Sequence, residues 1–104
     1  MQWVYSYEEA LKLAARDNLP VIAFFYTSWC GYCKKLDAET FTDSVVVEAS
    51  KGFVALRVDG EKDRKITYGY GVKAYPAILF LDPSGKVIWR ELSLIHISEP
   101  TRPY

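Results

Sequence analysis

Two cysteines are all the chain contains, and only two residues separate them: Cys30 and Cys33 lie in the run YTSWCGYCKKLDAETF, residues 26 to 41. A pair so spaced can do thiol–disulfide chemistry if a helix carries it, because residues three apart on a helix share a face and one sulfur can reach the other. The flanks supply that helix. VIAFFY, residues 21 to 26, is apolar throughout, as a strand buried on both faces is, and KKLDAETF is built of strong helix formers. Cys30 therefore falls where a strand hands over to a helix, among unpaired N–H groups at the positive end of the helix dipole. A thiolate is stabilised there, which is how Cys-X-X-Cys pairs reach pKa values of about 3.5 to 7.5 instead of about 8.5. Cys30 is expected as the exposed, attacking thiol, and Cys33, deeper in the helix, as the one that resolves the mixed disulfide. Gly31 leaves backbone room beside the nucleophile, and Trp29 is expected to shield one flank.

Other readings of the pair stay open at this point. A disulfide closing four residues removes only about 2 kcal/mol of unfolded-state entropy, a poor return for a structural staple. Inert buried thiols fit mid-strand better than a strand-to-helix corner. Metal bridging between two chains is a third reading, but one chain cannot build a tetrahedral zinc site, since two cysteines supply half the ligands. The only histidine, His96, lies in a segment set aside below, so a Cys–His nucleophile is excluded too.

The elements that must hold the pair read as alternating strands and helices. SYEE, residues 6 to 9, is a capping box with Ser6 as N-cap and Glu9 reaching back. The helix it starts should bury Ala10, Leu11, Leu13 and Ala14 and end at DNLP. In TDSVVVEASKG the valines favour strand, but Asp43 as cap and Gly52 as stop select a short helix. FVALRVD, residues 53 to 59, reads as a strand, and EKDRKITYGYG as a helical turn or short helix closed by glycine. AILFL at 77 to 81 is a third strand, and DPSG at 82 to 85 turns it into the hairpin partner KVIWR. The sum is one α/β domain, a mixed sheet flanked by helices.

Composition narrows the function classes. Half the residues are hydrophobic, so a packed core is expected, and 13 basic residues balance 13 acidic ones, leaving no electrostatic footprint for nucleic acid. No apolar run approaches the roughly 20 residues of a membrane helix. Glu8, Glu9 and Lys12 break the first fifteen residues as a signal peptide, so the chain as written is expected in the cytoplasm, or in the periplasm if a leader precedes Met1.

FFYTSWCGYCKKLDAETF, then VALRVD, then YGVKAYPAILFLDPSGKV together resemble the thioredoxin superfamily over residues 1 to 91, most closely the bacterial thioredoxin-like branch that includes the C-terminal domain of the thiol:disulfide interchange reductase. The resemblance implies a thioredoxin fold, protein-disulfide reductase activity at Cys30 and Cys33, no bound cofactor, a monomer, disulfide-bonded protein substrates and an upstream dithiol reductase as electron donor. It also implies that Pro76 is a cis proline facing the cysteines, with the Tyr75 backbone left free to bind an extended substrate strand. Spacing alone would allow a simple proline opening a strand. A thioredoxin-like binding module without turnover, or a cysteine-bridged dimer holding zinc or an iron–sulfur cluster, are the alternatives.

Departures from the family pattern sharpen the expectations. Thioredoxins carry a buried aspartate six residues before the first active cysteine and a lysine near it on the next strand, and here those positions read as Phe24 and Ala55. The loss of both together is sensible, because a lone buried charge is costly. Cys33 must still lose a proton, and Asp37, four residues beyond it on the same helical face, is the expected acceptor; the plainer alternative is a solvent-facing residue paired with a lysine. Tyr32 replaces a proline common between the cysteines, and Trp29, Tyr32 and Tyr75 are expected to form an apolar rim for substrate. Tyr68 and Tyr70 read as packing residues, and Lys34 and Lys35 as a solvated helix face.

The last stretch is anomalous. LSLIHISEPTR, residues 92 to 102, matches letter for letter the translation of an adapter used in transposase-based sequencing libraries. Residues 92 to 104 are therefore expected to be a non-native tail standing where the family fold has its last helix. Exposed apolar surface and reduced stability relative to a complete gene product are the expected consequences.

Overall fold

The computed structural model describes residues 1 to 91. The tail from 92 to 104, with His96 and the expected replacement of the last helix, lies outside the described residues. Strands β1 (Trp3–Val4), β2 (Val21–Tyr26), β3 (Val54–Asp59), β4 (Ala77–Leu81) and β5 (Val87–Glu91) form one sheet in the order β1-β3-β2-β4-β5. β1 and β2 run parallel to β3, whereas β4 is antiparallel to β2 and β5 to β4. This is the mixed sheet expected, with one strand more. β1 has two residues, too few to show a period, yet it sets Trp3 opposite Ala55 and Val4 opposite Leu56.

Helix α1 (Tyr7–Asp17) starts where Ser6 Oγ accepts the Glu9 N–H at 3.2 Å. Among the described residues only this half of the capping box forms. Asn18 closes the helix in the left-handed region (φ 52°), its N–H bonded to the Ala14 carbonyl. Ala10 and Ala14 are fully buried, whereas Leu11 and Leu13, expected beside them, are half-buried because they flank that central line. Short helices α2 (Gly31–Lys35), α3 (Ser44–Ala49) and α4 (Arg64–Gly69) complete the layers. Asp43 caps α3 as expected, accepting the Val45 and Val46 N–H groups at 2.9 and 3.3 Å. The run after α2 departs from a plain helix: Leu36–Thr40 is a π-helical turn, with Phe41 N–H bonded to the Leu36 carbonyl at 2.8 Å. Such turns widen a helix locally and are frequent at functional sites.

β2 is central and buried on both faces, as its unbroken apolar run requires. Val21, Ala23 and Phe25 join Leu56, Val58, Leu79 and Leu81 in the larger core beneath α1. Phe24 points the other way and packs with Cys30, Cys33, Leu36 and Phe41 in a smaller core. The cysteine-bearing helix therefore sits on Phe24. Across the fold, Tyr7 donates to Tyr70 Oη at 2.7 Å and Tyr70 donates to the Gly85 carbonyl at 2.7 Å, which ties α1, the end of α4 and the β4–β5 turn together. Of the two tyrosines expected to pack in the core or on the surface, Tyr70 lies against the larger core and Tyr68 is exposed.

Candidate active site

Cys30 is the N-cap of α2, with extended backbone (φ −79°, ψ 107°), and its Sγ accepts the Cys33 N–H at 3.1 Å. A hydrogen bond to sulfur from the first helical turn is the local form of the stabilisation that the strand-to-helix junction predicts. The two cysteines are joined as a disulfide, with Cα atoms 5.3 Å apart. One expectation needs correcting. Cys30 is not exposed: 5% of its surface is accessible against 2% for Cys33, because Phe24, Leu36 and Phe41 close in from below. Cys33 is the deeper of the two, but by little. Beside them a Cβ on Gly31 would meet nothing within 4 Å, so the space expected next to the nucleophile is there.

Trp29, the residue before Cys30, stands out into solvent, 66% exposed. Glu61, in the loop after β3, holds it there: the Trp29 Nε1–H donates to one carboxylate oxygen at 3.1 Å and the Ser28 hydroxyl to the other at 3.3 Å. The indole meets the Tyr75 ring edge to face, centroids 6.1 Å apart. Tyr32 is exposed on the helix, with the Lys35 ammonium 5.8 Å from its ring. The Tyr75–Pro76 peptide is cis, Pro76 is buried, and among the described residues the Tyr75 backbone forms no backbone hydrogen bond. Burial first, then the nearby Tyr68, Glu61 and Asp59, push the Tyr75 phenol above its ordinary value, so it remains neutral at physiological pH.

Gly60 is what lets Tyr75 lie where it does. A Cβ there would fall within the Tyr75 ring, against Oη, Cε1 and Cζ. Gly60→Ala should therefore displace the ring at a cost of about 1–3 kcal/mol, the usual range for overpacking. Disulfide reduction on a protein substrate is expected to fall at least severalfold while reduction of a small aromatic disulfide changes little. Equal losses on the two substrates would mean that Tyr75 does not contact protein substrates.

Asp37 is in neither of its expected settings. It lies in the π-helical turn, and both its oxygens are held by Arg57 of β3, from Nη1 at 2.7 Å and Nη2 at 2.5 Å. The partner is an arginine on another element, not a helix lysine. Arg57 sits in register beside Phe24 of β2, and its guanidinium lies 4.4 Å from the Tyr26 ring centroid, 5.1 Å from Phe24 and 5.3 Å from Trp3. The Asp37 hydrogen bond raises the Arg57 pKa further above its ordinary value. Among the described residues no group of three or more His, Cys, Asp or Glu side chains is placed to hold a metal, and no helix is long and apolar enough to cross a membrane.

Residues 2 to 83 match the model of the family described as thioredoxin-like. The chain belongs to that family. This thioredoxin-like domain is 34% identical over 82 residues to the thiol:disulfide interchange protein DsbD of Ralstonia nicotianae, covering 75% of this chain and 14% of that protein. It is 35% identical over 83 residues to the thioredoxin of Borreliella burgdorferi, covering 80% of this chain and 69% of that one. Among solved structures, a putative disulphide-isomerase of Bacteroides thetaiotaomicron superposes with TM-score 0.76 at 34% identity, over 89% of this chain and 78% of that one. The fold is the thioredoxin fold that the resemblance implied, and the domain carries a Cys-X-X-Cys pair at Cys30 and Cys33.

Three residues of this thioredoxin-like domain escaped the sequence reading. Arg57 had a signal: it is a lone cation in the middle of VALRVD, on the strand face shared with Ala55 and opposite Leu56 and Val58. Gly60 had a weaker one, a glycine directly after a strand, which by itself says only turn. Glu61 had none, since its bond to Trp29 joins two loops 32 positions apart.

Proposed function

We propose that the domain is a protein-disulfide reductase working through the Cys30–Cys33 pair. The observation that carries this reading is the Cys33 N–H held at 3.1 Å from Cys30 Sγ, a donor aimed at the one sulfur that must bear charge. In the reduced protein the Cys30 thiolate attacks one sulfur of a substrate disulfide. That S–S bond breaks, the displaced sulfur leaves as a thiolate that takes a proton from water, and a mixed disulfide joins Cys30 to the substrate. Cys33 then gives its proton to water and attacks Cys30 Sγ, which releases the second substrate sulfur and forms the Cys30–Cys33 disulfide. Two electrons return from a dithiol donor, a role for which the relatives' names supply the analogy.

Asp37 enters this reading as the partner of Arg57 and not as a free base. Both of its oxygens are occupied by the one guanidinium. Trp29, Tyr32 and Tyr75 offer the substrate an apolar rim, and the unpaired Tyr75 backbone offers an extended segment hydrogen bonds beside the cysteines. Pro76, which has no N–H, keeps that stretch from pairing within the sheet.

Reduction of insulin disulfides by the unmutated protein, driven by dithiothreitol, tests the proposal. Catalysed precipitation above the dithiothreitol background supports it. Its absence would leave a thioredoxin-like module that binds partners on the same rim without turning them over. Direction of electron flow is read separately, by equilibrating the pair with glutathione: a potential near about −270 mV fits a reductase, and one near about −120 mV an oxidant.

A further inference from the structure

Arg57 has more invested in it than packing requires. A guanidinium side chain only 15% exposed stacks on three aromatic rings and is met by one carboxylate in a bidentate fork. One of those rings, Phe24, belongs to the same buried cluster as Cys30 and Cys33, so the cation lies against the edge of the core that holds them. Its anion, Asp37, lies on the run that continues the cysteine-bearing helix, four residues after Cys33. A positive and a negative charge thus sit together beside the core that carries the reacting sulfurs, in a partly desolvated place where fields reach further than in water.

We propose that the Arg57–Asp37 pair is a charge-balanced positioning device for the cysteine chemistry, in which Arg57 cancels the field of Asp37 at the sulfurs while tethering the end of their helix to β3. The proposal rests on the reading of Cys30 as the nucleophile. Neither residue touches substrate; both act through the sulfur environment. The other ionisable groups on the surrounding elements are Tyr32, Lys34 and Lys35 of α2, Glu39 of the π-helical turn, Tyr26 of β2, Asp59 of β3, Glu61 in the loop after it, and Tyr75. Among the described residues none of these makes a second fork with Arg57; Tyr26 meets it through its ring face, 4.4 Å away.

Balance of this kind has a consequence that tethering alone does not. Arg57→Gln leaves the Asp37 carboxylate uncompensated, which opposes a thiolate and should raise the apparent pKa of Cys30 by about 0.5 to 1 pH unit. Asp37→Asn leaves the guanidinium uncompensated and should lower it by a similar amount. The double variant should return to within a few tenths of a unit of the unmutated protein. Arg57→Lys keeps the charge but loses the fork, so it should hold the pKa near its starting value while lowering the melting temperature.

The measurement is the pH dependence of iodoacetamide alkylation, with thiolate absorbance as a second readout, on reduced protein whose folding is checked by circular dichroism. Opposite shifts in the two single variants support the proposal. Shifts of the same sign, the result expected if loosening the helix weakens the hydrogen bond to Cys30, overturn it, and so do shifts absent from both. If one single variant fails to fold, the double and Arg57→Lys variants decide: a double variant displaced as far as the surviving single one overturns the proposal. Failure of the reductase reading is distinguishable, because it shows as absent insulin turnover in the unmutated protein whatever the variants' pKa values do.

Discussion

Cys30→Ser should bring insulin reduction down to the dithiothreitol background, whereas Cys33→Ser should stall after one half-reaction with substrate attached. The two outcomes differ because the sulfurs have different surroundings, and exposure is not the difference. At 5% and 2% accessible, both are buried in the disulfide form. What separates them is that Cys30 is the cap and Cys33 is inside the first turn, so Cys30 Sγ receives the Cys33 N–H and the reverse bond does not exist. With Cys30 replaced, no thiolate is left in the capped position. With Cys33 replaced, attack still proceeds, but nothing attacks Cys30 Sγ from within the helix, and the mixed disulfide persists. Mass spectrometry under non-reducing conditions should show a covalent adduct with a disulfide-bonded peptide for Cys33→Ser, removable by dithiothreitol, and none for Cys30→Ser. An adduct on Cys30→Ser, with turnover retained, would exchange the assigned roles.

The sequence made this site legible in its local parts. The cysteine spacing, the apolar run before it, Asp43 as a cap and the DPSG turn each announce themselves within a few residues, because helix capping, strand burial and turn chemistry are short-range effects. What stayed hidden depends on register. Arg57 meets Phe24 only because β2 and β3 align in parallel with those residues opposed, and it meets Asp37 across 20 positions. Gly60 meets Tyr75 across a similar gap. The Arg57 partner of Asp37 stayed hidden for the same reason: helix periodicity gave the face of Asp37, but the strand that supplies its partner lies outside any helical window. Trp3 and Val4 were missed as a strand because two residues carry no periodicity, yet their pairing with β3 puts Trp3 over the guanidinium. The burial of Cys30 likewise draws on a cluster that includes Phe41, which joins it only after the π-helical turn.

Phe24→Ala should be the most destabilising single change in the smaller core, and should disturb the cysteines more than its distance from solvent suggests. The ring is fully buried and lies 5.0 Å from Phe41, 5.8 Å from Trp3 and 5.9 Å from Tyr26, centroid to centroid. Removing a buried phenylalanine costs about 3–5 kcal/mol, the lost transfer energy plus the cavity it leaves. A domain this small holds roughly 5–15 kcal/mol in total, so the change should lower the melting temperature by more than about 10 °C. The cavity would open directly beneath Cys30 and Cys33 and on one side of Arg57, which would lose a stacking partner and gain access to water. Phe24→Leu fills most of the volume and should recover a large part of the stability, since near-volume-conserving swaps usually cost under about 1.5 kcal/mol. It cannot restore the face that the guanidinium lies on. The two variants therefore separate packing from cation stacking: if Phe24→Leu matches the unmutated protein in both melting temperature and Cys30 pKa, the ring contributes volume alone. A melt of Phe24→Ala within about 1 kcal/mol of the unmutated protein would mean that the smaller core closes over the gap and that the cysteine helix does not depend on what lies beneath it.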